Sequence, residues 1–332
     1  MVNYNRLTIL DKRLKDFKLR SENLVHKGAL ERLNLELKSK GLIFKPHTWI
    51  GDEWFSPDGV TGFAIPFYLF SRDLLEIEKN VIGYAEGETL SEFYQLIRHE
   101  CAHAIDHAFF FKDDRDWINI FGNYNKPYPQ SYTFKKYSKN FVRHLPDGYA
   151  QSHPEEDWAE TFAVWLDPNS DWRNRYKNWS CIKKLNYLDS LMGKFQFKRQ
   201  NIVLNKEIDP VHENEITLAE YLSNKKKHYK LKKKPSVKHL EHVAHKSHHG
   251  EELYDLLRCY ESQLAKKLSK ELNTTQYQLK SILSDLKKLA RQENLKVNKR
   301  MTAWKSTSKI LEECTLIHYQ KMMKAKSHRV IM

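Results

Sequence analysis

An α+β fold is predicted for this chain by three observations. Leu90, Phe93, Leu96, Ile97, Cys101, Ala104 and Ile105 recur at helical spacing and enclose the run HECAH at 99–103. Short apolar and aromatic runs between Leu42 and Phe70 (LIF, TWI, EWF, GFAIPFYLF), broken by the turn signal SPDG at 56–59, indicate a small sheet. Further on, EEDWAETFAVWL at 155–166 indicates a second helix with one acidic side. With 332 residues, 40% hydrophobic and 12% aromatic, the chain can bury one good-sized core and a smaller second one.

In chain order, Leu24, Leu30, Leu33 and Leu37 share a face of a leading helix over Ser21–Lys40, with Gly41 at its C-terminal stop. Thr89 and Glu92 form a capping box ahead of the HECAH helix. The stretch Phe109–Pro154, rich in Tyr, Asn, Pro and Lys, keeps no period and is expected to be a long ordered loop whose part 118–148 walls a cleft. Ser152 with Glu155, and Pro154 in the first turn, start the second helix, which stops before Asp167-Pro168. Past residue 200 the chain turns polar, and KKKHYKLKKKPS at 225–236 is expected to be an exposed basic linker. Three helical patterns follow: Leu253, Leu257, Tyr260, Leu264 and Leu268; then Leu279, Ile282, Leu283, Leu286 and Leu289 behind a Thr275/Gln278 box; then Trp304 to Met323. The expected division is a first domain over 1–200, a Lys/His-rich linker over 201–250 and a basic all-α region over 251–332.

The net charge of +14 is unevenly placed: residues 1–200 hold 29 Lys+Arg against 27 Asp+Glu, and residues 201–332 hold 27 against 15. The basic surplus therefore belongs to the tail, which suggests two functional units. The N-terminus lacks the apolar core of a secretory signal, and no run approaches the ~18 apolar residues of a membrane span. Cys101, Cys181, Cys259 and Cys314 make no CxxC pair, which argues against a zinc ribbon or a disulfide framework. A soluble, cytoplasmic protein with reduced thiols is expected.

On a helix, residues four apart share a face, so His99 and His103 can direct imidazole nitrogens at one ion with Glu100 beside them. Two neutral imidazoles leave zinc strongly Lewis-acidic, and the adjacent carboxylate can take a proton from a metal-activated water. HExxH alone is a motif that chance supplies among 16 histidines. A third ligand on the second helix makes chance a weaker account. Glu156 can complete a His, His, Glu set, with Glu155 and His153 as the alternatives. Glu160, one turn beyond Glu156, can accept the other N–H of a ligating histidine. His107 continues the four-residue series but sits a turn too far, Asp106 can support a neighbouring histidine or cap, and Cys101 is most simply core.

His99, Glu100, His103, Glu156 and Glu160 resemble the metal motifs of gluzincin metallopeptidases, especially the lethal-factor-like branch with an ExxAE-type second motif. More closely, DEWFSPDG, IPFYL, RHECAHAID and YAQSHPEEDWAETFAVWL are similar to the bacterial family called putative zinc-binding metallopeptidases, over about residues 45–192. The resemblance implies a zincin-like domain: a small sheet with an edge strand, an HExxH helix and a Glu-ligand helix holding one Zn2+ per chain. It implies His99, His103 and Glu156 as ligands, because the Glu156–Glu160 spacing repeats the family's pair of ligand and supporting carboxylate. It further implies Glu100 as general base and Tyr149, seven residues before Glu156, as hydrogen-bond donor to the oxyanion. In related folds an edge strand pairs with extended substrate; Gly62–Phe70 is the candidate here, and Pro66 favours an edge.

The expected activity is hydrolysis of a peptide or protein. Two other function classes compete with a general peptidase. One is a DNA-associated protease, analogous to SprT-like enzymes, recruited through residues 225–332 to nucleic acid or to an acidic partner; the other is a non-catalytic zinc-containing binding protein. The histidines at 239, 242, 245, 248 and 249 can take up metal adventitiously.

Overall fold

The computed structural model describes residues 9–82, 84–129, 131–228, 244–246, 250–272, 276–297, 311–313, 315–316 and 329–331. It divides into two compact units, one of Met1–Glu78, Ala85–Asn224 and Val330–Met332, the other of Lys79–Tyr84 and Lys225–Arg329. Helices and small sheets are mixed along the chain, compatible with α+β.

The first helix, α1, spans Ala29–Ser39 and is shorter than its apolar spacing suggests. Ser21–Asn23 is instead a 3-10 turn, the Val25 N–H donates to the Leu69 carbonyl at 2.9 Å, and Gly28 enters the helix with φ 75°. Tertiary docking of residues 21–28 thus replaces the first expected turns. Gly41 follows the helix at φ 76°, the left-handed stop that its position predicts.

Strand β1 (His47–Gly51) pairs in parallel with β2 (Gly62–Pro66), His47 opposite Gly62 and Gly51 opposite Pro66. Every residue of β2 is buried, and on its other flank the Ala64 N–H donates to the Phe55 carbonyl at 2.9 Å. Phe67–Phe70 forms a 3-10 turn. The expected edge strand over Gly62–Phe70 is therefore shortened to Gly62–Pro66: it stands at the edge of a two-stranded sheet, its other flank meeting Phe55 at one isolated bridge, and Pro66 has no N–H to continue a ladder.

After α2 (Arg72–Ile82) comes α3 (Leu90–Phe109), opened by Thr89, whose hydroxyl accepts the Glu92 N–H at 3.3 Å. Almost all of α3 from Phe93 onward is buried, and its small residues Ala102, Ala104 and Ala108 let other elements approach closely. The stretch expected to be loop holds a further helix, α4 (Arg115–Phe121), capped by Asp114, which accepts the Asp116 N–H at 2.6 Å. Seven residues are too few to show a period. Strand β3 (Ser131–Thr133) and a 3-10 turn (Pro146–Gln151) lead to α5 (Pro154–Leu166). His153, not Ser152, caps α5: its ring accepts the Glu155 N–H, while the Ser152 hydroxyl donates back to the Tyr149 carbonyl at 2.7 Å.

The core of this unit is the face between α3 and α5. Trp158 Nε1–H donates to the Ala102 carbonyl at 3.0 Å, inside the HECAH turn. Phe93, Phe162, Ala159 and Ala163 fill the surroundings with essentially no exposure. Each buried Phe contributes about 1.5–3 kcal/mol relative to exposure. Helices α6 (Trp172–Tyr176) and α7 (Ile182–Phe195) continue the layer, and Lys184 of α7 pairs with buried Asp157 of α5. Residues 201–224, expected to begin a linker, run along this unit: the Leu204 N–H donates to the Thr61 hydroxyl at 3.0 Å, and Leu14 N–H to the Ile216 carbonyl at 2.9 Å. Helix α8 (Leu218–His228) buries Leu218, Tyr221 and Leu222.

In the second unit α9 (Leu253–Leu272) and α10 (Gln276–Gln292) pack along the apolar faces that their leucines predict, Leu257, Leu264 and Leu268 meeting Leu279, Leu283 and Leu286. The expectation of an all-α tail is corrected by a small antiparallel sheet, in which Leu295–Val297 lies between His245–Lys246 and Glu251–Glu252. Strands of two or three residues leave no alternation to detect. Residues 229–236 of the basic run, the Thr275 cap, and the Trp304–Met323 pattern apart from helical 311–313 and 315–316 lie outside the described residues. So do His239, His242, His248 and His249, whereas His245 is an exposed strand residue. Among the described residues no helix is long and apolar enough to cross a membrane.

Candidate metal centre

Two helices bring the site together. HECAH lies in the middle of α3, and Glu156 and Glu160 lie in the first two turns of α5, which the Trp158–Ala102 hydrogen bond holds against it. Among the described residues, His99, His103 and Glu156 form the group whose ligand atoms converge. His99 Nε2 is 3.0 Å from Glu156 Oε2 and 3.3 Å from His103 Nε2, which is 3.5 Å from Glu156 Oε2.

These separations test whether the donors suit zinc. A tetrahedral ion about 2.0–2.1 Å from each ligand needs ligand atoms about 3.3 Å apart, close to all three distances. Glu156 Oε2 is buried without a hydrogen-bond partner of its own, a polar atom that a cation at this point would satisfy. Two imidazoles and one carboxylate also match the donor set zinc prefers where a position is kept open for chemistry.

The surroundings hold each donor. Glu160 is fully buried; its Oε1 accepts the His99 Nδ1–H at 3.0 Å, which turns His99 Nε2 toward the cluster, and its Oε2 accepts the Leu145 N–H at 2.8 Å. Tyr128, in the loop before β3, brings its hydroxyl to 2.9 Å from Glu156 Oε1 and 3.0 Å from Glu155 Oε2. Lys112 donates to Glu155 Oε1 at 2.9 Å. Glu155, one of the alternative ligands, is thus engaged away from the histidines. His153, the other, accepts the Glu155 N–H through Nδ1 and donates from Nε2 to the Lys126 carbonyl at 2.8 Å, with its ring stacked on Tyr128. His107 donates from Nδ1 to the Val60 carbonyl at 3.1 Å, Asp106 accepts the Lys112 N–H at 3.0 Å, and Cys101 is buried in the core as a free thiol.

Electrostatics follow from burial and from this geometry. Burial would lower the pKa of His99, yet the Glu156 and Glu160 carboxylates, each 3.0 Å from one of its ring nitrogens, hold it well above the ordinary value. For His103 burial also acts downward, and the adjacent Glu156 carboxylate together with the Glu100 charge outweighs it, raising the pKa. Burial pushes the Glu156 carboxyl up, and His103 and His99 together pull it below the usual range. Burial raises Glu100, only partly offset by His99 and His103. Tyr149, half-buried with its ring 5.6 Å from that of His99, is raised well above the usual phenol by burial and then by Glu156 and Glu100, so its hydroxyl keeps its proton as a donor.

Sequence reasoning missed Tyr128. It stands in the aromatic and proline-rich run NKPYPQ, where no spacing rule relates it to Glu156. A tyrosine among prolines, in a loop expected to wall the cleft, was the one signal available.

No curated protein and no solved structure matches the chain. Residues 86–196, the segment that carries both helices of the site, match the model of the family described as "putative zinc-binding metallo-peptidase".

Proposed function

We propose that the chain is a zinc-dependent peptidase of gluzincin type on a zincin-like domain, with His99, His103 and Glu156 as ligands of one Zn2+, Glu100 as general base and Tyr149 as oxyanion donor. The observation that carries this reading is the convergence of His99 Nε2, His103 Nε2 and Glu156 Oε2 within 3.0–3.5 Å, with Glu100 next to His99 on the same helix.

When bound, zinc supplies a Lewis acid that polarises a carbonyl and acidifies water. Glu100, buried and with its pKa raised, takes the proton of the attacking water and passes it to the leaving amine as the C–N bond breaks. Tyr149, protonated beside His99, donates its O–H to the oxygen that gains charge. Glu160 holds the His99 ring through Nδ1.

In the tail, several described lysines are paired with acids, Lys246 with Glu293, Lys267 with Glu312 and Lys287 with Glu261. That pattern favours a solvated surface over nucleic-acid recruitment. The test compares wild type, Glu100→Ala and His103→Ala for bound zinc and for cleavage of a peptide library. Glu100→Ala should keep zinc and lose hydrolysis, and His103→Ala should lose zinc. Hydrolysis surviving in Glu100→Ala would sink the assignment.

A further inference from the structure

A carboxylate that ligates a metal through one oxygen has a second oxygen free to compete for the ion or swing away. Glu156 presents Oε2 to His99 and His103, and its Oε1 lies 2.9 Å from the Tyr128 hydroxyl. That hydroxyl has one proton and two carboxylates in reach, since Glu155 Oε2 is 3.0 Å away. Lys112 resolves the competition. Its ammonium donates to Glu155 Oε1 at 2.9 Å and neutralises that carboxylate, which leaves the Tyr128 proton for Glu156.

The position of Tyr128 is itself fixed from two sides. Its ring stacks on His153 with centroids 3.9 Å apart and planes 22° apart. His153 is in turn anchored, donating to the Lys126 carbonyl two residues before Tyr128 and accepting the Glu155 N–H at the head of α5. The loop carrying Tyr128 is therefore clamped to the helix turn that carries Glu156. Tyr128 as a whole stays 47% exposed while its hydroxyl reaches Glu156, so it contributes orientation more than buried surface.

We propose that Tyr128 is a positioning residue for the metal site: its hydroxyl occupies Glu156 Oε1 and keeps that ligand one-oxygen, while Lys112 and His153 aim the hydroxyl. This rests on Glu156 being a ligand. Removing the hydroxyl frees Oε1, so the carboxylate can bind through both oxygens or rotate out of line, and the site loses the shape that two histidines and a single oxygen define. Outer partners of ligands typically set about 10–100-fold of metal affinity.

The test uses the full-length chain and its Tyr128→Phe variant, with zinc affinity measured by chelator competition and the ligand-field spectrum recorded with Co2+ as probe. The expected result is zinc affinity about 10-fold weaker or more, and a weaker, shifted Co2+ absorption reporting a higher coordination number, with the unfolding temperature of the metal-stripped variant unchanged. A merely structural role would not move the cobalt spectrum. If Tyr128→Phe keeps its zinc affinity within about two-fold and its cobalt spectrum is unaltered, the positioning role is overturned while the ligand set stands. If His103→Ala binds zinc as tightly as wild type, the ligand set itself fails, and the role of Tyr128 with it.

Discussion

Glu160 Oε1 lies 3.0 Å from His99 Nδ1, and this one contact decides which nitrogen His99 turns toward Glu156. The carboxylate is fully buried and its other oxygen accepts the Leu145 N–H, so it is held with no solvent to compete. Glu160→Gln should weaken zinc binding by about 10-fold or more, because a neutral amide orients the imidazole less strongly and turns an N–H toward Leu145 or His99. Chelator competition reads this directly. An unchanged affinity would mean that His99 is oriented by packing alone.

Gly148 stands immediately before Tyr149 at φ 61°, and a Cβ there would lie 2.4 Å from the Phe134 ring. Gly148→Ala should displace the Tyr149 turn and lower kcat by about 10-fold or more while zinc content stays at wild-type level. Full turnover in this variant would remove Tyr149 placement from the account.

Arg98 on α3 donates twice to Glu36 on α1, both at 2.8 Å, with the two side chains almost fully buried, and a further oxygen of Asp167 is 3.3 Å away. Glu36→Ala should cost about 3–5 kcal/mol in urea unfolding, since it strands a buried guanidinium beside one remaining acid. Replacing both partners together by Leu and Met should recover much of that loss. A Glu36→Ala cost under about 1 kcal/mol would contradict it.

His107 gives a pH dependence with a definite sign. Burial, then the charges of Lys112 and His103, lower its pKa to about 4 from the usual 6.5. The unfolded chain therefore takes up this proton first as pH falls, and native stability drops between about pH 6.5 and pH 4, by at most about 3 kcal/mol from this group. Above that window the contribution is complete. The stability difference between wild type and His107→Gln should shift toward the variant as pH is lowered through this range, measured by urea unfolding. A difference that stays constant with pH would show that His107 is protonated alike in both states.

The helices of the candidate site were legible because their information is local and periodic. Thr89 caps α3 where its hydroxyl and Glu92 predict, and the four-residue spacings 99–103 and 156–160 set the faces that meet. The long tail helices α9 and α10 were legible for the same reason. What was hidden depends on contacts across sequence distance. The start of α1 is shifted by the bond between Val25 and Leu69, and His153 displaces Ser152 as the α5 cap because its ring is also wanted by Lys126 and Tyr128. β2 ends at Pro66, and its second flank is bridged at Ala64 by Phe55, a residue no alternation could nominate. Tyr128 reaches Glu156 from 28 positions upstream, through a loop whose course no spacing describes.

The bond from Trp158 to the Ala102 carbonyl joins the two helices one residue away from His103 and two away from Glu156. Adding or deleting a single residue within either helix would rotate everything beyond it by about 100°. Insertions and deletions over generations should therefore be filtered out of 99–103 and 156–160 far more sharply than substitutions are. Length changes should collect instead at places such as the turn around Tyr137, which is 83% exposed.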